Sequence, residues 1–88
     1  MTERQVTIIN PLGLHARPAA RLVKLATGFA AQIELVRDGT AINAKSIMGV
    51  MMLAAEQGAV LVVRADGLDE VAATDAIAAL VTDGFGEL

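Results

Sequence analysis

The sequence predicts an α+β domain in which a single layer of helices covers one face of an antiparallel sheet. Three patterns carry that reading: stretches where apolar and polar residues alternate, stretches where apolar residues recur at helical spacing, and short connections between the two. Gln5 to Asn10 alternates, with Val6 and Ile8 on one side and Gln5 and Thr7 on the other, and Asn10-Pro11-Leu12-Gly13 breaks the run. From Ala16 to Thr27, Ala19, Leu22, Val23 and Ala26 share one helical face, and Gly28 supplies the stop. Gln32 to Arg37 alternates again with Ile33 and Leu35 inward, and Asp38-Gly39 is a two-residue hairpin turn into Thr40 to Asn43. Ser46 then caps a short apolar helix, Ile47 to Ala54, that closes near Gly58. Ala59 to Ala65, the most β-branched segment, is the central strand. Asp69 and Glu70 open the last helix, whose apolar side is Val71, Ala73, Ile77, Leu80 and Val81 and whose end is Gly84. The order is βαββαβα. The uncovered sheet face suits Thr7, Glu34 and Arg64, and leaves Ile9, Val36 and Val62 as exceptions.

Composition narrows the function classes. The 88 residues make one domain, residues 1–88, and the 55% that are hydrophobic include 17 alanines and only two aromatics, Phe29 and Phe85, so the core is aliphatic. Without cysteine, and with one histidine, there is neither a disulfide nor a zinc cluster, and no metal or other cofactor is expected. Ile47 to Ala55 is the longest apolar stretch and is far shorter than the roughly 20 residues that cross a bilayer, so no membrane insertion is expected. Met1 to Gln5 does not lead into a signal-peptide apolar region, and a cytoplasmic location follows as the expectation. The net charge of −3 divides unevenly: residues 1–45 hold six basic and three acidic groups, and residues 46–88 one basic and seven acidic. A basic first half suits an acidic partner or a small anion. An acidic chain without Tyr or Trp is a poor binder of nucleic acid.

The chemistry-bearing residues are few: His15, Ser46 and two lysines. His15 stands in Gly13-Leu14-His15-Ala16-Arg17-Pro18, between a broken strand and a new helix, where the first backbone N–H groups lack partners within the helix. That helix opens without an acidic residue and puts Arg17, Arg21 and Lys24 on one face, against the sense of its own dipole. A phosphate held by the backbone N–H groups at Ala16 and by the Arg17 fork completes such a site. The helix start also disfavours a cationic imidazole, leaving a neutral ring nitrogen as nucleophile, and a phosphohistidine is the product the surroundings favour. A lone histidine is more often an ordinary loop residue. The helix-start position, the uncompensated basic face and the lack of any acid or base partner for a hydrolytic triad favour the phosphohistidine. Ser46 reads first as an N-cap, with Gly49 where a capping box has Glu or Gln, and second as a regulatory phosphorylation site. Ile47, Met48, Met51 and Met52 cannot all face inward on so short a helix, and exposed methionines suit docking onto more than one partner.

Leu12-Gly13-Leu14-His15-Ala16-Arg17-Pro18-Ala19 together with Lys45-Ser46-Ile47-Met48-Gly49-Val50-Met51 resembles HPr, the histidine-containing phosphocarrier family of the bacterial phosphoenolpyruvate-dependent phosphotransferase system, over essentially the whole chain. The resemblance implies an open-faced two-layer sandwich with strand order 1-4-2-3 and three helices on one face. It further implies that His15 takes a phosphoryl group on Nδ1 from phosphorylated enzyme I and passes it to an enzyme IIA protein or domain, with Arg17 steadying the phosphate. By the same resemblance an HPr kinase acts on Ser46, and partners dock on Leu14, Arg17, Ala20, Arg21, Lys24, Ile47, Met48 and Met51. Thr27 and Gly49 stand where some members carry lysines, which thins the basic patch, and Met51-Met52-Leu53-Ala54-Ala55 is similar to the nitrogen-related branch of the system as much as to the sugar branch. A carrier that alternates partners is best served as a monomer and is not itself an enzyme. Two other readings compete: an interaction module switched by phosphorylation of Ser46, and an acylphosphatase-like hydrolase, for which Asn10 is the one nearby water-orienting candidate.

Overall fold

The structure, a computed structural model, describes residues 1–87. Its elements are β1 (Thr2–Thr7), α1 (Ala16–Thr27), β2 (Gln32–Arg37), β3 (Thr40–Asn43), α2 (Ile47–Met52), β4 (Val60–Asp66) and α3 (Glu70–Thr82), followed by a 3-10 turn over Gly84–Gly86. The four strands form one antiparallel sheet in the order β1-β4-β2-β3, and the helices lie on one face, an open-faced sandwich.

β4 is central because its inward residues Leu61, Val63 and Ala65 are wholly buried between partners on both sides, Val6 opposite Leu61 on β1 and Leu35 opposite Val63 on β2. Ala19, Leu22, Val23 and Ala26 of α1 and Ala73, Ile77, Ala78 and Val81 of α3 close the core from above, with Val50 the single buried residue of α2. On the other face Glu3, Arg64 and Glu34 stand in one row across three strands, and Arg64 donates from Nε to Glu3 at 2.8 Å and from Nη1 to Glu34 at 3.3 Å.

The hairpin forms as the sequence predicts: Asp38 and Gly39 have φ of 49° and 83°, the pair of left-handed residues a type I′ turn needs. Elsewhere tertiary pairing moves the boundaries. β1 begins at Thr2 and ends at Thr7, earlier than the alternation implies, because Thr2, Glu3 and Arg4 pair with Ala65, Arg64 and Val63. Ile8, just past the strand, is still buried and exchanges backbone hydrogen bonds with Ala59 and Gly58. α2 stops at Met52, and Ala54 turns left-handed with φ of 48°. β4 covers Val60–Asp66, one residue later than expected. Val71, expected on the apolar side of α3, is 59% exposed, and Leu80 is half-buried: the buried stripe runs instead through Ala73, Thr74, Ile77, Ala78 and Val81, and the Thr74 hydroxyl donates back to the Glu70 and Val71 carbonyls. Asp69 does not cap its own helix; its carboxylate accepts from the backbone N–H of Ala30 and Ala31, both at 2.8 Å, and those bonds hold its carboxyl below the usual aspartate range.

Two predictions follow from this packing. Leu22→Ala empties a fully buried site and lowers unfolding free energy by about 3 kcal/mol, read as a shift in the urea midpoint at unchanged slope. Glu70 is held at about 2, from an ordinary 4.5, first by the Thr2 hydroxyl, then by the amino terminus and the Gly67 N–H. A carboxyl depressed in the folded state stabilises it fully above the unfolded value and loses that contribution as pH falls through the folded one. The urea midpoint therefore declines between about pH 4.5 and 2, and Glu70→Gln removes that part of the decline.

Candidate functional site

The segment joining β1 to α1 is pinned before His15 is reached. Asn10 is fully buried and its Nδ2 donates to the Gly13 carbonyl at 2.8 Å, while the Gly13 N–H donates to the Asn10 carbonyl at 3.1 Å. Gly13 has φ of 65°, and a β-carbon there collides with the Ala55 carbonyl, so both the turn and the close approach require glycine. That carbonyl accepts the Leu14 N–H at 2.8 Å, which ties the segment to the connection between α2 and β4.

His15 is the N-cap residue of α1, in extended conformation, and its side chain makes no capping bond. Its carbonyl accepts the Ala19 N–H at 3.0 Å. The N–H groups of Ala16 and Arg17 fall in the first turn, where a helix offers no acceptor, and Pro18 tolerates the next position because it has no N–H. The first turn contains no acidic residue. Ala16 and Arg17 are exposed, and His15 is half-buried.

The acid partner that the sequence does not reveal is Glu87. His15 Nε2 lies 3.0 Å and 3.1 Å from its two carboxylate oxygens, and Asn10 Nδ2 donates to Oε1 at 2.9 Å. These bonds, the one from His15 foremost, hold the Glu87 carboxyl below the usual glutamate range, aided by the charge of Arg17. The expectation that His15 lacks an acid partner is thus corrected. Glu87 is 72 residues away, and what brings it back is the 3-10 turn: Phe85 is wholly buried, takes the left-handed conformation at φ 57°, and its carbonyl accepts a hydrogen bond from Arg21 Nη1. Phe85 is legible in the sequence only as a rare aromatic, and nothing local marks Glu87.

These groups line an open recess of about 460 Å³ formed by Pro11, Leu12, His15, Arg17, Arg21, Gly86 and Glu87. Its basic lining fits an anion. No hydroxyl or thiol lines it, so the His15–Glu87 pair has no third member to activate as in a hydrolytic triad. In a neutral ring with Nε2–H donating to the carboxylate, the lone pair is on Nδ1. Among the described residues no three His, Asp or Glu side chains gather as a metal site, and no helix is long and apolar enough to cross a membrane.

The expected docking residues divide. Ala20, Arg21 and Lys24 are exposed on α1, and Ile47, Met48 and Met51 are 46%, 73% and 42% exposed on α2, which packs beside α1; Met52 adds 77%. Leu14 does not belong with them: it is 5% exposed and packs in the core, where the Ala55 bond holds it. Arg21 has a structural duty as well, through Phe85. Ser46 caps α2, its Oγ accepting the Gly49 N–H at 3.1 Å.

Comparison with known proteins agrees with this geometry. The family model described as "PTS HPr component phosphorylation site" matches residues 2–83. The Phosphocarrier protein HPr of Cupriavidus necator is 52% identical over 87 residues, covering 99% of this chain and 98% of that protein. The Phosphocarrier protein NPr of Shewanella violacea is 46% identical over 85 residues, covering 97% of this chain and 93% of its own. Of solved structures, an HPr from Thermoanaerobacter tengcongensis superposes with a TM-score of 0.96 at 45% identity, covering 100% of this chain and 99% of the other. An HPr dimer from the same organism gives a TM-score of 0.79 at 46% identity, covering 99% of this chain and 100% of its own. With strand order, helix layer and full-length similarity in agreement, the chain belongs to the HPr family of phosphotransferase-system phosphocarriers.

Proposed function

We propose that this chain carries a phosphoryl group on His15 Nδ1, taking it from phosphorylated enzyme I and giving it to an enzyme IIA component. One observation above all supports the reading: a half-exposed histidine caps a helix whose first turn holds no acid and carries Arg17, with Nε2 already engaged by a carboxylate. The Nδ1 lone pair attacks phosphorus, the donor's bond to phosphorus breaks, and the backbone N–H groups of Ala16 and Arg17 with the Arg17 guanidinium hold the phosphoryl oxygens. The recess carboxylate, Glu87, is engaged by His15 and Asn10 and not free to activate water, which suits a carrier that acts only between partner proteins in the cytoplasm. Ala20, Arg21, Lys24, Ile47, Met48 and Met51 form the docking surface, and the carrier works as a monomer between its encounters. Phosphorylation of Ser46 by an HPr kinase is its regulatory input, placing charge beside the exposed Ile47 and Met48. The 46% identity to a protein named NPr supports a second reading, service in the nitrogen-related branch without direct sugar uptake.

Incubation with phosphoenolpyruvate and enzyme I is expected to add a single acid-labile phosphate, seen by intact mass, to the wild type and to Ser46→Ala and none to His15→Ala. Arg17→Ala loses a charge-assisted contact to the phosphoryl group and slows uptake about tenfold or more. No uptake by the wild type from a competent enzyme I would sink the carrier assignment in favour of an interaction module controlled at Ser46.

A further inference from the structure

The carboxylate of Glu87 is far better anchored than a surface glutamate one turn beyond a helix has reason to be. Its side chain is 16% exposed, its two oxygens span His15 Nε2, and one of them also accepts from Asn10. Asn10 is fully buried, and its Oδ1 has no hydrogen-bond partner among the described residues. An apolar side chain would remove the unpaired Oδ1 but would take the donor away from both the Gly13 carbonyl and the Glu87 carboxylate, so the amide is held for its Nδ2 and not for packing alone. What the amide does besides shaping the turn at Gly13 is hold Glu87. Phe85, buried in a left-handed conformation and bonded through its carbonyl to Arg21, aims the chain end at the ring. Two side chains therefore bond one carboxylate, and the buried Phe85 fixes the backbone two residues before it.

We propose that Glu87, held by Asn10, is a positioning residue for His15 that fixes the proton on Nε2 and keeps the phosphorylated ring in its protonated, transferable form. The proposal rests on the phosphocarrier reading and deepens it. When the Nδ1 lone pair bonds to phosphorus, the donor's phosphorus–nitrogen bond breaks and its electron pair stays on the donor ring, which leaves as neutral imidazole. The Nε2 proton does not move. The product ring is then a cation facing a carboxylate, and a protonated ring is the better leaving group when an acceptor nitrogen attacks in turn. The charged groups around the ring are Glu87, Arg17, and Arg21, whose Nη1 is bonded to the Phe85 carbonyl; Glu56, in the connection packed against Gly13, is paired with Arg37. Among the described residues Glu87 is thus the one anion in the recess lining.

The test needs two readouts on the full chain. Two-bond proton–nitrogen correlation spectra of the His15 ring report the tautomer without any phosphoryl donor: the wild type is expected to show Nε2–H in the neutral ring, and Glu87→Ala to lose that preference. Phosphoramidate then phosphorylates the protein chemically, and loss of the phosphate is followed against pH. Glu87→Gln keeps a hydrogen-bond acceptor and removes the charge, so it should retain the tautomer while the fall-off in lability moves about one pH unit lower, a roughly tenfold longer lifetime above it. An Nδ1–H wild-type ring, or identical spectra and lability profiles in the variants, overturns the proposal. Failure of enzyme I to load the wild type overturns the carrier reading instead, and the tautomer spectra still decide the role of Glu87.

Discussion

Burial of a single sheet face beneath small helical residues is the constraint on which everything else depends. The described core holds one wholly buried aromatic, Phe85, and the helices come down on the sheet through Ala19 and Ala26 in α1 and Ala73 and Ala78 in α3. Alanine at these positions takes up little space, so that Leu22, Ile77 and Val81 of the helices and Ile33, Leu35, Leu61 and Val63 of the sheet are all buried in one core. The buried face of α1, packed beside α2 and α3, and the pinned turn at Asn10 and Gly13 fix where that helix begins, and with it the place of His15 at the rim. The site is precise because its first helix is packed, not because the residues around it are numerous.

Most of that frame was legible because local signals and tertiary demands agree. Helical spacing in α1, the stop at Gly28 and the Asp38-Gly39 turn each act over a few residues, and the structure follows them. The departures are places where a distant partner outweighs local pattern. Thr2, Glu3 and Arg4 do not alternate, yet β4 draws them into the sheet. Val71 satisfies an apolar pattern and is exposed because the helix face toward the sheet is set by Ile77 and Val81. Asp69 was legible as a helix-start acid, but its partners, the amides of Ala30 and Ala31, belong to the turn after α1.

In the site the division is the same. His15 and Arg17 lie two residues apart and announce themselves through an acid-free helix start, and Ser46 through its place before an apolar run. The family resemblance groups Leu14 with the docking residues, whereas its bond to the Ala55 carbonyl holds it inward. Glu87 and the depth of Asn10 were not legible, since their significance exists only once Phe85 is buried and Glu87 meets the turn before α1. An acidic residue near a glycine-rich end has no periodicity to betray it.

The return of Glu87 to Asn10 and His15 gives the molecule a temporal order. Chains emerge from the ribosome from the amino end, at about 5–20 residues per second. His15, Arg17 and Asn10 appear early, but β1 has no neighbour until Val60–Asp66 is made, and the recess has no floor until Gly84–Gly86 has turned. A nascent chain halted anywhere before Glu87 would display the histidine motif without its carboxylate. The recess is therefore closed only after α3 and the 3-10 turn have been made, long after the histidine that it surrounds.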